Sequence, residues 1–90
     1  MKNDFLKVLW FYPSYAPARR RKLNAYFEGI KEDALNGDAY ATYAAFVIDI
    51  VCFRKDSTIT IGQMDAILDS YNYPSEYSDR LRKEVSALLR

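Results

Sequence analysis

Apolar side chains recur along the chain at intervals of three and four residues, which is the spacing of one face of an α-helix. The pattern is interrupted at Pro13, Gly37 and Pro74. A proline disfavours helical backbone at the residue before it, and a glycine can end a helix in the left-handed conformation. The pattern therefore predicts an all-α fold, a compact bundle of about five short helices that forms a single domain over residues 1–90.

Local signals give approximate boundaries for these helices. Thr60 and Gln63 have the spacing of a capping box, in which each side chain bonds the backbone N–H of the other residue, so a helix is predicted to begin at Thr60. Asp38, which follows Gly37, is a residue type that caps helix starts. The predicted helices cover, in order, roughly residues 4–12, 17–36, 38–55, 60–73 and 75–88.

The third predicted helix, DAYATYAAFVIDIVCFRK, has apolar side chains around nearly its whole circumference. Only Thr42 and Asp49 mark a polar line along it. A helix of this kind either lies at the centre of a bundle or has two partners. Its second apolar side is a candidate interface or the face of a homodimer, and consists of Phe46, Ile50 and Phe53.

The same part of the chain has one alternative fold. Residues 46–53 are rich in β-branched side chains and residues 58–61 alternate, so a small hairpin at 46–61, turning at 54–57, would give an α+β fold. The preceding DAYATYAA favours helix, and an isolated two-stranded hairpin is only marginally stable unless it packs on helices. The all-α fold is therefore favoured.

Composition and charge narrow the functional classes. The 90 residues carry a formal net charge of +1, so the chain lacks the strongly basic character that indicates a nucleic-acid-binding domain. Cys52 is the one cysteine and lies in an apolar run, which predicts a buried free thiol in a reducing compartment. The first residues lack the features of a signal peptide, and the longest apolar stretch, 39–53, is too short to cross a bilayer. We expect a cytoplasmic protein with no membrane contact.

The residue types that most enzymatic chemistry needs are missing. There is no histidine, which removes the commonest general base and the commonest metal ligand. A single cysteine excludes the usual zinc sites, and the three glycines are scattered rather than gathered in a phosphate-binding loop. Asp65 and Asp69 share a helix face, but surface carboxylates at this spacing are usually just solvated. We expect no catalytic residues, no cofactor, no metal site and hence no enzyme.

Four consecutive cations form the strongest local charge signal. They open the second predicted helix, where positive charge opposes the helix macrodipole by roughly a few tenths of a kcal/mol per residue. Three sources of negative charge could neutralise these cations: nucleic-acid phosphates, the chain's own acidic stretch at 56–79, or a protein partner with an acidic surface. We name these cations the basic cluster, which consists of Arg19, Arg20, Arg21 and Lys22.

The acidic stretch at 56–79 contains five carboxylates and no lysine or arginine, and its last part includes the segment YNYPSEY at 71–77. Tyrosine with Asn and Ser is typical of protein interfaces, because a tyrosine ring supplies contact area at a low cost in side-chain entropy. Helical periodicity assigns Tyr71 and Tyr77 to core faces and leaves Tyr73 free. In this stretch the predicted partner-binding residues are Asp69, Tyr73 and Glu76, in addition to the basic cluster.

The favoured functional hypothesis is a small, non-enzymatic protein-binding module. It would act as an inhibitor, adaptor or assembly factor by occupying a surface of another macromolecule, a style typical of small proteins of phages and mobile elements. The alternative is a nucleic-acid-binding module that uses the basic cluster, with Trp10 or Tyr15 stacking on bases. A homodimer through the face of the third predicted helix is a further alternative.

Overall fold

The computed structural model describes residues 4–90, with side chains from Leu6 onward, as helices joined by short loops. A 3₁₀ turn at Tyr12–Ser14 follows the first α-helix, and a π-helical segment at Asp49–Phe53 continues the third. No strand occurs within residues 4–90, so the all-α prediction is confirmed. The five α-helices are α1 (Asp4–Trp10), α2 (Pro17–Leu35), α3 (Ala39–Ile48), α4 (Ile61–Asp69) and α5 (Ser75–Leu88).

The alternative hairpin at 46–61 is wrong. The β-branched residues Val47, Ile48 and Val51 are at most 1% exposed and lie in continuous helical backbone, because burial against other helices outweighs their weak preference for strands. The alternating residues 58–61 belong instead to a turn and a helix cap. In that turn the Thr58 N–H donates to Asp56 Oδ1 at 2.8 Å.

Several helix ends agree with their predicted signals. Gly37 follows α2 with a φ of +93°, a left-handed conformation that glycine adopts without steric cost. The Asp38 side chain accepts from the Ala41 N–H at 2.8 Å at the start of α3. At α4, Thr60 Oγ1 accepts from the Gln63 N–H at 3.1 Å while Gln63 Oε1 accepts from the Thr60 N–H at 2.9 Å, which completes the capping box.

Two helices end earlier than their apolar periodicity predicts. The first stops at Trp10, and Pro13 lies within the 3₁₀ turn that follows. The fourth stops at Asp69 rather than running to Tyr73. The physical reason is a reversal of the backbone at Asn72, which has a φ of +59°. The tyrosines on either side of Asn72 therefore lie in a loop between α4 and α5.

The core surrounds α3, as expected for a helix with apolar side chains on most of its circumference. Along one side α3 packs against α2, and it also contacts α5; the π-helical segment contacts α1. Six of the ten residues of α3 are buried. The largest fully buried side chains come from every α-helix and from the π-helical segment, and are Leu6, Leu9, Leu23, Val47, Ile48, Val51, Met64, Leu81 and Val85.

Among the described helices, none combines the length and the apolar character that crossing a membrane requires. The longest, α2, carries its buried residues Leu23, Phe27 and Ile30 on a single stripe, as the sequence predicts. Its other faces are exposed and charged.

The capping box at α4 yields a testable expectation. Replacing Thr60 by Ala removes the acceptor of the Gln63 N–H, so we expect the free energy of unfolding to fall by about 1 kcal/mol. The control Thr60→Ser keeps a hydroxyl at the same position and should change stability by no more than a few tenths of a kcal/mol, roughly. Both values follow from denaturant titration, and equal losses in the two variants would contradict the cap.

Candidate functional site

A connected row of aromatic rings lies between α3 and the segment at 71–77. Rings from α3 occur every third residue and thus follow one side of the helix. Rings from 71–77 pack between and beside them. Ring centroids are separated by 5.9 Å for Tyr40 and Tyr77, 5.8 Å for Tyr43 and Tyr77, 4.8 Å for Tyr43 and Tyr73, 6.5 Å for Phe46 and Tyr73, and 4.7 Å for Phe46 and Tyr71. We name these six rings the ring column.

The inner end of the ring column, at Tyr40, is closed by a polar network. The Tyr26 hydroxyl donates to Glu84 Oε1 at 2.7 Å and lies 3.1 Å from the Tyr40 hydroxyl. Arg80 Nε donates to Glu84 Oε2 at 2.7 Å, and its guanidinium stands 3.9 Å from the centre of the Tyr40 ring. These contacts join α2, α3 and α5, so the inner end holds the fold together.

Burial sets the ionisation of the tyrosines at this end. Burial raises the pKa of Tyr26 well above its usual range, and the hydrogen bonds with Tyr40 and Glu84 raise it further because they favour the protonated hydroxyl. Burial likewise raises the pKa of Tyr40, and its hydrogen bond with the Tyr26 hydroxyl partly offsets this rise. Both hydroxyls therefore stay protonated in the folded protein at pH values that ionise an exposed tyrosine.

The outer end of the ring column is open to solvent. Tyr71 is 52% exposed and Tyr73 38% exposed, although both rings contact Phe46. Asn72 between them has left-handed backbone and forms a tight turn, so that the rings on both sides of it pack against α3. The prediction that Tyr71 lies on a core face is therefore wrong, because α4 ends before it. Tyr73 is accessible, as predicted, but it is also packed on Tyr43 and Phe46.

A carboxylate accompanies this exposed end. Burial raises the pKa of Tyr43, the hydrogen bond with Ser78 Oγ lowers it, and the nearby Tyr73 hydroxyl and Asp69 carboxylate raise it again. The charge of Asp69 thus acts at the place where Tyr73 meets Tyr43. Two of the predicted partner-binding residues, Asp69 and Tyr73, thus lie at the same turn, in which the Asn72 N–H donates to the Asp69 carbonyl at 3.4 Å. We name the group the tyrosine surface and define it as Phe46, Asp69, Tyr71 and Tyr73.

Glu76, the third predicted residue of this stretch, lies elsewhere. It is exposed in the first turn of α5 and lines a shallow depression along that helix. The depression contains charges of both signs, including Asp79, Arg80 and Lys83. Glu76 thus adds negative charge beyond the turn that carries Tyr73 but lies outside the tyrosine surface as defined.

The basic cluster lies on the first turns of α2. Arg20 is half-buried and the other three cations are exposed. Ala16 precedes the helix and provides no side-chain cap. Among the described side chains, no carboxylate forms an ion pair with any of the four cations. The acidic stretch at 56–79 thus does not neutralise them within the described part of the chain.

The candidate base-stacking residues near the basic cluster are engaged within the protein. The Lys55 ammonium lies 4.4 Å from the centre of the Trp10 ring, and it also donates to the Trp10 carbonyl. The Tyr15 hydroxyl donates to the carbonyl of Val8. Neither ring is freely presented to a ligand.

The predicted oligomer face on the third helix is divided between two clusters. Phe46 belongs to the ring column, whereas Phe53 stacks on Phe27 at 5.1 Å and meets the edge of Tyr12 at 5.3 Å. Ile50, which lies between these two residues in the sequence, is half-buried. The division follows from the π-helical segment, in which the Arg54 N–H donates to the Asp49 carbonyl at 2.9 Å and widens the helix by one residue.

A second exposed aromatic group surrounds Phe53, which is 44% exposed. The Tyr12 hydroxyl donates to Asn24 Oδ1, and the Lys31 ammonium lies 4.7 Å from the centre of the Phe27 ring. Residues 20, 24, 27 and 31 share one face of α2 by helical spacing, so Arg20 lies on the same face as Phe27. The sequence shows the spacing of this face of α2, but no feature of the sequence indicates that Phe53 packs against it.

The remaining reactive groups have ordinary structural roles. Asp49 Oδ2 lies 2.7 Å from Arg54 Nε, a local ion pair at the surface. Cys52 is buried, and burial raises the pKa of its thiol to about 12, so the nucleophilic thiolate is disfavoured. Within the described part of the chain, no group of three or more potential ligands could hold a metal ion.

Comparison of the chain with protein-family models, with curated proteins and with solved structures finds no match in any of the three. A functional assignment therefore depends on the residues described above.

The network at the inner end predicts a specific dependence on pH. Because the folded pKa of Tyr26 is raised, its contribution to stability is complete below about pH 10 and is lost as the pH rises further. One such group steepens the loss by at most about 1.4 kcal/mol per pH unit. Tyr26→Phe lacks the titrating hydroxyl, so we expect a shallower loss of unfolding free energy between about pH 10 and pH 11. Denaturant titrations at several pH values measure this, and identical slopes would contradict the assignment.

Proposed function

We propose that this chain is a non-enzymatic protein-binding module whose tyrosine surface contacts the partner. The observation that carries the proposal is the difference between the two ends of the ring column. Tyr40 is 4% exposed and enclosed in a hydrogen-bonded network, whereas Tyr71 is 52% exposed and Tyr73 38% exposed. A role in fold stability explains why the inner rings are buried. It does not explain why Tyr71 and Tyr73 keep solvent-accessible area.

The outer rings have properties that favour binding. A tyrosine presents a large rigid surface with a polar tip, and it loses little side-chain entropy when a partner covers it. Tyr71 and Tyr73 are additionally held by contact with Phe46, so part of that entropy has already been lost on folding. A partner that covers both rings would therefore gain contact area without having to order a flexible loop.

Such a module would act by occupying its partner's surface, as an inhibitor, an adaptor or an assembly factor. The cytoplasm is its expected location, in keeping with a free thiol at Cys52. This role requires neither a cofactor nor a bound metal. It requires only that the tyrosine surface remain uncovered in the free protein.

An alternative proposal is a nucleic-acid-binding module centred on the basic cluster. It is supported by the absence of ion pairs at the four cations within the described side chains, and by the position of Arg20 on the face of α2 that carries Phe27, on which the exposed Phe53 stacks. It is weakened by the net charge of +1 and by the intramolecular contacts of Trp10 and Tyr15. A polyanion would bind with strong dependence on salt.

Capture from a native lysate on the immobilised protein separates these proposals. We expect one dominant protein, and we expect Tyr71→Ala and Tyr73→Ala each to reduce its capture at least about tenfold, as for residues central to an interface. The matched control is Leu35→Ala, which removes an apolar side chain that is 88% exposed on the last turn of α2. Circular dichroism verifies that each variant is folded.

The outcomes of this experiment are distinct. Full capture by both tyrosine variants would contradict the proposed surface. Capture of nucleic acid that weakens with Arg20→Ala but not with Lys83→Ala, a charge-matched control on α5, would favour the alternative.

A further inference from the structure

We propose that the tyrosine surface recognises a cationic segment of its protein partner, with an arginine placed over the ring of Tyr71 or Tyr73 and paired with Asp69. This inference rests on the proposed function and specifies the chemistry of the partner. It depends on the distribution of charge around the surface and on a similar arrangement that the protein already contains. Both are local features of the ring column.

The chain segment that carries Asp69, Tyr71 and Tyr73 has charge of one sign. Residues 56–79 include five carboxylates and neither lysine nor arginine. Among the described side chains, no cation forms an ion pair with Asp69 or Glu76. Asp69 opens the turn that carries Tyr71 and Tyr73, because the Asn72 N–H donates to the Asp69 carbonyl at 3.4 Å, and its carboxylate acts to raise the pKa of Tyr43. The charge that this segment places near the outer rings is therefore negative and complementary to a cation.

The inner end of the same column shows what completes such a site. There Arg80 lies with its guanidinium 3.9 Å from the centre of the Tyr40 ring and donates to Glu84 at 2.7 Å. A tyrosine ring, a guanidinium and a carboxylate thus form one unit. At the outer end Tyr73 and Asp69 provide two of these three components, and the third is supplied by no described side chain of this chain.

Arginine suits this position better than lysine does. A guanidinium is planar and weakly hydrated, so it stacks on an aromatic face while its N–H groups donate to a carboxylate. The lysine ammonium is a compact and strongly hydrated charge that loses more hydration energy on burial against a ring. The half-exposed rings of Tyr71 and Tyr73 provide the faces, and Phe46 beside them provides an apolar floor for an aliphatic neighbour.

The chemistry of the surface disfavours other partners. Nucleic acid and acidic protein segments would place negative charge against Asp69. An uncharged apolar segment would cover the rings but leave the carboxylate without a partner as it loses water, which costs free energy.

Titration with short peptides tests this inference. The probe is an eight-residue peptide, blocked at both ends, that alternates arginine with leucine; the comparison peptides replace every arginine with citrulline, lysine or glutamate. The readout is the backbone amide shifts of Asn72 and Tyr73 in nitrogen–proton NMR spectra, recorded where sedimentation shows a monomer. We expect the dissociation constant obtained from these shifts to be at least about tenfold lower for the arginine peptide than for the citrulline peptide. The value for the lysine peptide should lie between them.

Variants connect the effect to the named residues. Asp69→Asn removes the charge while keeping the shape of the side chain. We expect it to reduce the affinity for the arginine peptide about threefold to tenfold. The matched control Asp33→Asn removes an exposed carboxylate from α2 and should leave the affinity unchanged. Because both positions are exposed, neither substitution should impair folding.

Each other outcome overturns the inference in a recognisable way. Equal binding of the arginine and citrulline peptides at Asn72 and Tyr73 would reject cation recognition while leaving the protein-binding proposal intact. Absence of any shift with the arginine peptide would also reject it, and the capture experiment with Tyr73→Ala then decides independently whether the surface binds protein at all. A dimer that Tyr73→Ala dissociates would reject the cationic segment in favour of a second copy of this chain.

Discussion

The structure depends on the burial of α3 from more than one side. A helix whose apolar side chains cover most of its circumference cannot leave any broad face in water, since each exposed large side chain forgoes roughly 1.5–3 kcal/mol of burial free energy. One side of α3 is therefore covered by α2. Another is covered by α5 and by the loop that precedes it, and this second cover is aromatic. Together with α2, the inner rings of the ring column thus enclose the central helix.

The ring column changes character along its length, and this change links the fold to the proposed function. At the inner end the Tyr40 ring is buried, its hydroxyl lies 3.1 Å from the Tyr26 hydroxyl, and the Arg80 guanidinium lies over its face. At Tyr71 and Tyr73 the same kind of contact continues, but the outward faces are wet and a carboxylate lies nearby. Packing against Phe46 fixes the outer rings in place without hiding them. A binding surface thus arises as the open end of a structural feature.

The sequence contains enough information for some of these features and too little for others. The start of α4 was predictable because the capping box depends only on two residues three positions apart, Thr60 and Gln63. The end of α2 was predictable because the backbone freedom of Gly37 is itself a signal for a helix end. The position of Tyr71 was not, because its spacing fits the apolar stripe of α4 while the helix ends before it. The separation of Phe46 from Phe53 depends on one extra residue in a π-helical turn, which side-chain periodicity does not register.

The central claim is that the outer rings of the column contribute little to the fold for their size. The unfolding free energies of three alanine variants, from denaturant titrations with equal slopes, test it most directly. Tyr40→Ala should lose about 3–5 kcal/mol, as for a buried aromatic residue in a core, whereas Tyr71→Ala and Tyr73→Ala should each lose no more than about 1.5 kcal/mol. Losses at Tyr71 and Tyr73 as large as the loss at Tyr40 would show that the outer rings are structural and would contradict the account.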